Sequence, residues 1–377
     1  MTSRERMAAA MAGKTPDRVP VMCQMSIGHM CVATGVRPAA LWHDAESYVD
    51  ALLALRQRYA FDGILVSLHG HAPDWERRAV RAEPGPEGER IRWRDGGTTF
   101  FPADDLPVVE PDRGPIRPEF SGFDPASLPE TVSYIPVSQG LRFARDREHL
   151  FDAVVDVVKR AGRDFSVHGE VTSPLDYFLD LFGFEPAMVG CLEDPGRATA
   201  VLDRFAAGIV GLAAGLAATG VDAIKLSSPF AGAGFLSTAF YKTFVQPFER
   251  RIVRAVEARG VRAYIHTCGD IHDRLELMAD SGASGIECLD PPPLGRVELA
   301  EAKARVGGRV FIKGNIDPVH VLLAGDRETV RADAGKRIAV GRPGGGYILS
   351  TACSIAPRTP PENIAALAEV AEDRGRY

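Results

Sequence analysis

Short apolar runs recur along the chain and alternate with amphipathic stretches. The runs lie at residues 19–25, 63–70, 165–172, 223–228, 262–269, 285–290, 310–316 and 347–353. Each run is short and evenly apolar, which is typical of strands that are covered on both faces in a parallel sheet. The pattern therefore predicts eight parallel strands.

Amphipathic stretches with helical spacing separate these runs. Four examples span residues 44–60, 197–220, 239–260 and 271–282, and several end in glycine, which commonly terminates a helix. Eight units of a strand followed by a helix indicate an α/β fold of the (β/α)8 TIM-barrel type. We expect residues 1–377 to form this barrel as a single domain.

The interval from residue 76 to about 145 departs from this alternation. It contains the turn signals "EPGPEG" and "RDGG" between alternating apolar and polar positions. Such turns between alternating runs are typical of antiparallel strands. We expect a β-hairpin insertion after the second strand, lying at the rim of the barrel and not forming an independent domain.

Composition narrows the possible functions. The chain has 377 residues, of which 45% are hydrophobic and 25% charged, and its formal net charge is −6. This balance lacks the basic surplus of a nucleic-acid binder, so we expect no nucleic-acid partner. The amino-terminal segment lacks the apolar core of a secretory signal, and we expect no membrane span. Six widely spaced cysteines do not indicate a disulfide framework, and a cytoplasmic protein with reduced thiols is predicted.

The stretch "AYIHTCGD" (263–270) supplies candidate metal ligands. In an extended strand, His266 and Cys268 point to the same side. Cys353 ends the last apolar run, and strand ends converge at one mouth of a barrel. Imidazole nitrogen and thiolate sulfur suit Zn²⁺, and three protein ligands leave one position for a reactant. The alternative is that His266 and Cys268 are ordinary residues of a buried strand that bind no metal.

The other cysteines are interpreted as small packing residues: Cys23, Cys31, Cys191 and Cys288.

Four further residues are candidates for catalysis. Glu170 ends the third strand and is predicted to be either a fourth, displaceable zinc ligand or a loop-capping carboxylate. His69 and His71 lie on one side of the second strand, where they would line the pocket or relay protons, or else remain on the rim. Asp317 precedes Pro318 and is also suited to capping the following helix.

Several segments together resemble a known family. They are "TPDRVPV" (15–21), "SSPFAGAGFLSTAFYKTFVQPFERRIV" (227–253), "YIHTCGD" (264–270), "IKGNIDP" (312–318) and "ILSTACSIAPRTPPENIAAL" (348–367). The chain resembles the uroporphyrinogen decarboxylase superfamily, and within it the corrinoid-linked zinc methyltransferase branch of the methylcobalamin:coenzyme M methyltransferase type. The resemblance implies a barrel, zinc held by His266, Cys268 and Cys353, a pocket shaped partly by the Asp317 loop, and a small corrinoid-binding protein that supplies cobalamin.

The amino-terminal loop separates this branch from true decarboxylases, which resemble one another in an arginine-rich loop. Here residues 20–35 contain no arginine, and the first one that follows is Arg37. A polyanionic porphyrinogen would need cations at that place. The resemblance thus implies methyl transfer between cobalamin and a thiol or a methylated small molecule such as a methyl ether, with the direction open. The alternatives are a porphyrinogen-type decarboxylase, a corrinoid-independent zinc-thiolate enzyme such as an epoxide:thiol transferase, and a non-enzymatic zinc-binding adaptor.

Overall fold

The computed structural model describes residues 1–110, 116–137 and 140–377. Its strands, numbered along the chain, are β1 (Gly63–Val66), β2 (Ala79–Gly85), β3 (Gly88–Trp93), β4 (Thr98–Pro102), β5 (Val108–Glu110), β6 (Tyr134–Pro136), β7 (Arg142–Ala144), β8 (Ser166–Thr172), β9 (Ala223–Ser227), β10 (Arg262–Thr267), β11 (Gly285–Cys288), β12 (Phe311–Ile316) and β13 (Tyr347–Thr351). The helices are α1 (Ser3–Met11), α2 (Ile27–Thr34), α3 (Pro38–His43), α4 (Ala45–Tyr59), α5 (Trp75–Arg78), α6 (Asp152–Ala161), α7 (Pro174–Phe182), α8 (Phe184–Glu193), α9 (Pro195–Ala217), α10 (Thr238–Phe244), α11 (Gln246–Glu257), α12 (Leu275–Asp280), α13 (Leu299–Val306), α14 (Arg327–Gly341) and α15 (Pro361–Arg374). Short 3₁₀ turns lie at Pro125–Ser127 and Pro229–Ala231, and a π-helix spans Pro318–Leu323.

A curled parallel sheet forms the centre of the fold. Within the described residues it contains seven strands in the order β1-β8-β9-β10-β11-β12-β13. Helices cover its outer face, where α9 packs against β8 and β9, and α11 packs against β10. The strands are buried almost throughout because side chains fill the interior and helices cover the exterior. The predicted barrel-type α/β fold is confirmed.

The first predicted strand is wrong in detail. Residues 19–25 form isolated parallel bridges, which pair Val21 with Leu349 and Met25 with Ile355. On the other side, the backbone N–H of Asp62 donates to the carbonyl oxygen of Val21 at 2.7 Å. Pro20 has no N–H with which to continue a ladder. The segment therefore lies between β13 and β1, in the eighth position of the barrel, without regular strand pairing.

The insertion follows β1, the second predicted strand, as expected. It is larger than one hairpin, since β2, β3, β4 and β5 form an antiparallel sheet in that order and β6 pairs with β7. Ile91 and Phe101 are buried, and the sheet contacts α3 through β3 and β4. Residues 111–115 and 138–139 of the predicted interval lie outside the described residues. The insertion thus buries one apolar face against the rim of the barrel.

Two helix predictions need correction. The stretch 239–260 is divided between α10 and α11 at Val245, because Pro247 is tolerated in a first helical turn but not in a helix interior. The long helix α9 has the length and composition that could cross a membrane, which the apolar pattern of the sequence had not indicated. Half of its most apolar window is buried within the fold. A core helix of a barrel passes the same test of length and composition.

Candidate metal centre

Three side chains from two separated strands meet at the carboxyl ends of the sheet. His266 lies in β10, Cys268 follows that strand, and Cys353 follows β13. His266 Nε2 lies 3.2 Å from Cys268 Sγ, and Cys268 Sγ lies 3.7 Å from Cys353 Sγ. All three potential ligand atoms lie within 4.8 Å of one another. The structure therefore brings together the three residues that were predicted to bind zinc.

Two of the three spacings between these atoms suit a tetrahedral zinc ion. Zinc–sulfur bonds of about 2.3 Å and zinc–nitrogen bonds of about 2.0 Å place two sulfurs about 3.8 Å apart, and a nitrogen and a sulfur about 3.5 Å apart. The sulfur–sulfur distance of 3.7 Å matches this value, and the nitrogen–sulfur distance of 3.2 Å is slightly shorter. One nitrogen and two sulfurs form a donor set that suits Zn²⁺. The group leaves a fourth coordination position to another ligand.

A buried network of charges orients His266. Its Nδ1 lies 2.9 Å from Glu287 Oε2, and the two residues are register partners on β10 and β11. Glu287 also pairs with Lys313 and lies 4.0 Å from Lys225, which in turn lies 2.9 Å from Glu170 Oε1. A carboxylate behind a ligating histidine fixes the ring orientation and leaves Nε2 for the metal. Sequence reasoning missed this network, although lysines inside otherwise apolar strands were an available signal.

The thiols of the group differ in acidity. Hydrogen bonds with Cys288 and Cys353, together with the charge of His266, hold the pKa of Cys268 well below its usual range. Burial acts to lower the pKa of His266, but the charge of Cys268 and the hydrogen bonds to Cys268 and Glu287 together outweigh it and raise the pKa to about 9. The hydrogen bond to Cys268 and burial raise the pKa of Cys353. Cys288 is buried, as expected for packing, but its thiol also donates to Asp290 Oδ2 at 3.3 Å. Cys268 is therefore the thiolate of the metal-free group.

A cavity of about 570 Å³ lies beside the three residues. Ser354, which follows Cys353, and Ser227, the register partner of His266, both line it. Among the described lining residues, Arg117 is the one lysine or arginine. The acidic lining residues are Asp105, Glu170, Asp176 and Asp180, and the aromatic ones are Trp42, Phe184 and Phe230. The cavity is thus partly apolar and has more acidic than basic side chains.

Two carboxyl groups of this wall have contrasting surroundings. Glu170 Oε1 pairs with Lys225, whereas Glu170 Oε2 is buried without a hydrogen-bond partner among the described residues. Glu170 lies outside the group of three candidate ligands. Asp176 accepts a hydrogen bond from Ser173 Oγ at 2.5 Å, and burial raises its pKa to about 8. At neutral pH the wall therefore holds a protonated carboxyl group, which sequence reasoning did not identify.

The structure does not bring the other predicted catalytic residues to the metal group. His69 is buried, with Nε2 3.3 Å from the carbonyl oxygen of Glu170, and burial lowers its pKa to about 3. His71 is also buried, and burial lowers its pKa to about 4. Neither histidine lines the 570 Å³ cavity in the described part of the chain. Asp317 accepts hydrogen bonds from two backbone amides and caps the helix Pro318–Leu323.

The family model for uroporphyrinogen decarboxylase (URO-D) matches residues 125–374. The methylcobamide:CoM methyltransferase MtaA of Methanosarcina barkeri is 28% identical over 58% of the chain and 61% of its own length. MtbA of Methanosarcina acetivorans is 27% identical over 59% of the chain and 63% of its length. A uroporphyrinogen decarboxylase of Chromohalobacter salexigens is 29% identical over 64% of the chain and 67% of its own length. The chain thus matches about three fifths of the length of the methyltransferases.

Solved structures show the same fold. A methyltransferase from Methanosarcina mazei superposes with a TM-score of 0.73 and 19% identity, covering 99% of both chains. A B12-independent methionine synthase from Shewanella sp. W3-18-1 gives a TM-score of 0.51 and 15% identity over 87% of this chain and 88% of its own. At these identities the similarity establishes the architecture alone.

Proposed function

The chain belongs to the uroporphyrinogen decarboxylase family, and we propose that it is a zinc-dependent methyltransferase. It would move a methyl group between a cobalamin, held by a separate small corrinoid protein, and a thiol or a methylated small molecule such as a methyl ether. The single observation that carries this proposal is the convergence of His266, Cys268 and Cys353 at distances that suit zinc. Relatives named methylcobamide:CoM methyltransferases support the same reaction class.

Different residues would bind the ion and orient its ligands. His266, Cys268 and Cys353 would hold the ion, and Glu287 would keep the imidazole ring in its ligating orientation. A bound Zn²⁺ ion supplies Lewis acidity at the atom that gains or loses the methyl group. The buried pairs of Glu287 with Lys313 and of Glu170 with Lys225 would hold the wall around this centre in place.

Asp176 and Glu170 would handle protons and substrate at the cavity wall. Demethylation of an ether leaves an oxygen that needs a proton, and Asp176 is a protonated carboxyl group at neutral pH. Glu170 Oε2, which has no partner in the described part of the chain, would accept a hydrogen bond from a substrate hydroxyl or thiol. Both residues line the cavity beside the metal group.

The charge of the cavity favours methyl transfer over decarboxylation of a porphyrinogen. Some relatives are named uroporphyrinogen decarboxylases, so the family by itself allows either reaction. A substrate with many carboxylates needs several cations. Among the described lining residues, however, Arg117 is the one lysine or arginine, and four acidic residues also line the cavity. Arg37, the first arginine after the amino-terminal loop, pairs with Glu89 of the insertion.

The decisive experiment follows cobalt absorbance. Zinc-loaded protein is mixed with methylcobalamin or cob(I)alamin and a panel of thiols and methyl ethers, and Cys353→Ala and Cys191→Ala proteins are compared. We expect a spectral change that depends on zinc and Cys353 and is retained in Cys191→Ala. Turnover of a porphyrinogen without metal would favour the decarboxylase. Thiol addition to an epoxide without cobalamin would favour the corrinoid-independent enzyme. If the protein bound zinc but showed none of these activities, a non-enzymatic adaptor would be favoured.

A further inference from the structure

A second cleft lies between α3 and the antiparallel sheet of the insertion. It consists of two adjoining chambers of about 390 and 220 Å³, which share Trp42, His43, Arg78 and Arg142. Trp42 also lines the cavity beside the candidate metal centre. No member of the group His266, Cys268 and Cys353 lines either chamber, so the cleft is a separate feature of the described structure.

Aromatic rings form the walls of the larger chamber. His43 stacks on Trp75 with ring centroids 5.2 Å apart and an interplanar angle of 20°. Trp93 and Phe101, from β3 and β4, meet His43 edge-on at centroid distances of 5.4 and 5.6 Å. Trp93 Nε1 donates to Thr99 Oγ1 at 2.9 Å, which fixes the indole. Fixed aromatic faces and edges of this kind are suited to a planar, apolar ring.

Arginine side chains line both chambers. The arginines that line the two chambers are Arg78, Arg94, Arg142 and Arg145. Arg142 pairs with Asp180, but Nε and Nη1 of Arg145 are buried without a hydrogen-bond partner among the described residues. The acidic lining residues Asp95 and Asp146 accept hydrogen bonds from backbone amides in their own turns. The cleft is therefore locally basic on a chain whose formal net charge is −6.

His71 adds two more unused polar atoms to the smaller chamber. Its side chain lines that chamber and is 3% exposed, and neither ring nitrogen has a hydrogen-bond partner within the described residues. A buried polar atom without a partner costs free energy. A ligand with acceptor oxygens would satisfy Arg145 and one nitrogen of His71 together. The orphan groups of the chamber thus point to an anionic ligand.

We infer that this cleft binds a planar aromatic small molecule that carries one anionic group, a carboxylate or a phosphate. The ring would lie against His43, Trp93 and Phe101, and the anion would lie in the smaller chamber near Arg145 and Arg78. A guanidinium group donates two parallel hydrogen bonds to the oxygens of a carboxylate or a phosphate. A neutral aromatic ring has no such pair of charged acceptor oxygens. This inference is independent of the proposed methyl transfer, because it uses none of the candidate metal ligands.

Intrinsic fluorescence reports binding in this region, and the arginine variants distinguish the cleft from the neighbouring cavity that Trp42 also lines. The chain has three tryptophans, of which Trp42 and Trp93 line the cleft and Trp75 stacks on its His43 wall. The full-length protein is titrated with benzoate and with phenyl phosphate, and calorimetry measures the stoichiometry. We expect saturable quenching with one equivalent of at least one probe, and the tighter probe identifies the anion. Inorganic phosphate should bind at least about tenfold more weakly because it lacks the ring.

Variants separate this site from the metal centre. Arg145→Met should weaken binding of the preferred probe at least about tenfold because a charge-assisted hydrogen bond is lost, and Arg145→Lys should weaken it less. The double variant Arg78→Gln with Arg94→Gln removes two exposed positive charges of the cleft without disturbing the core, and it should also weaken binding of the preferred probe. Arg309→Gln, an exposed arginine paired with Asp280, and Cys353→Ala should both leave binding unchanged. The inference would be overturned if neither probe bound saturably, or if the Arg145 variants and the Arg78/Arg94 double variant bound the probe as tightly as the unaltered protein. Loss of binding in Cys353→Ala would also overturn it.

Discussion

At the scale of single residues, the candidate ligand set contains a local pair and one distant member. His266 and Cys268 are two positions apart, so strand alternation alone predicts that they share a side. Cys353 lies on another strand, and its sulfur comes within 3.7 Å of Cys268 only after the barrel has formed. The distant member is therefore the residue whose removal tests the site most directly.

We expect Cys353→Ala to lose stoichiometric zinc and cobalamin-dependent activity together, because two remaining ligands hold the ion weakly. Zinc content is measured by elemental analysis after gel filtration, and activity by cobalt absorbance. Cys191→Ala, which removes a buried thiol from α8, is the matched control and should keep both. Zinc retained at one equivalent in Cys353→Ala would contradict the proposed ligand role.

Glu287→Gln should affect both metal binding and folding. Loss of the carboxylate behind His266 should weaken zinc binding about 10- to 100-fold. It also leaves the buried Lys313 without its partner, and breaking a buried ion pair in this way lowers the free energy of unfolding by about 3–5 kcal/mol. Zinc titration and urea unfolding measure the two effects.

The control is Glu301→Gln, because Glu301 pairs with His272 at the surface. An exposed pair contributes little to stability, so this variant should unfold nearly as the unaltered protein does. Equal effects of the two substitutions would show that Glu287 has no special role in the barrel interior.

Asp176→Asn should change how stability depends on pH. The pKa of Asp176 is raised from 3.8 to about 8, chiefly by burial. The contribution of its protonated carboxyl group to the free energy of unfolding is therefore complete below pH 3.8 and is lost as the pH rises towards 8. The amide does not titrate, and the stability of the variant relative to the unaltered protein should therefore increase between pH 4 and 8 by at least about 1 kcal/mol. Urea unfolding at several pH values measures this difference. A difference that stays constant over the range would show that Asp176 is not a buried, protonated acid.

At the scale of elements, the contacts of Asp317 are explained by its position at the amino-terminal end of the helix Pro318–Leu323. Its carboxylate accepts hydrogen bonds from Val319 N and His320 N and also contacts His320 Nδ1 at 2.8 Å. These contacts are those of an amino-terminal cap. The sequence had allowed both this role and a role in the pocket, and the described lining of the 570 Å³ cavity does not include Asp317.

Asp317→Ala should lower the free energy of unfolding by about 0.5–2 kcal/mol, whereas Asp317→Asn should lose less because asparagine also caps helices. Zinc content should stay unchanged in both. Asp326→Ala, which removes the corresponding cap of α14, is the matched control. Thermal unfolding and elemental analysis measure the outcome. If Asp317→Asn lost activity with stability and zinc intact, a catalytic role would be supported instead.

Elements with strong local signals were predictable. The helix expected at 44–60 is α4 (Ala45–Tyr59), because its apolar spacing and its Asp44 cap are local features. The division of 239–260 at Val245 was missed because the apolar spacing continues across it, although Pro247 was a visible signal. Residues 19–25 were also misjudged, since an apolar run alone does not reveal whether it pairs regularly.

At the scale of the whole molecule, Asp62 closes the barrel at its irregular position. This fully buried carboxylate accepts hydrogen bonds from Arg6 Nη1 at 2.6 Å and Arg18 Nη1 at 2.9 Å. It also accepts one from Val21 N at 2.8 Å. One side chain thus connects α1, the irregular 19–25 segment and the start of β1. It compensates there for the missing strand ladder.

Asp62→Asn should lower the free energy of unfolding by about 3–5 kcal/mol because two arginines lose the buried charge that pairs with them. Glu372→Gln is the control, since Glu372 pairs with Arg18 at the surface and should contribute less than about 1 kcal/mol. Urea unfolding measures both variants. A loss below 1 kcal/mol for Asp62→Asn would show that the barrel closes without this carboxylate.

The sequence by itself determined the features that depend on near neighbours along the chain. These are the alternation of strands and helices, the place of the insertion, the His266–Cys268 pair and the family resemblance, because periodicity and motifs are local. Only the tertiary structure decided which distant side chains meet. The approach of Cys353, the pairing of His266 with Glu287 and the cleft behind Trp42 depend on strand register and on packing across long connections. Those arise from many weak contacts summed over the whole fold, and no short segment encodes them.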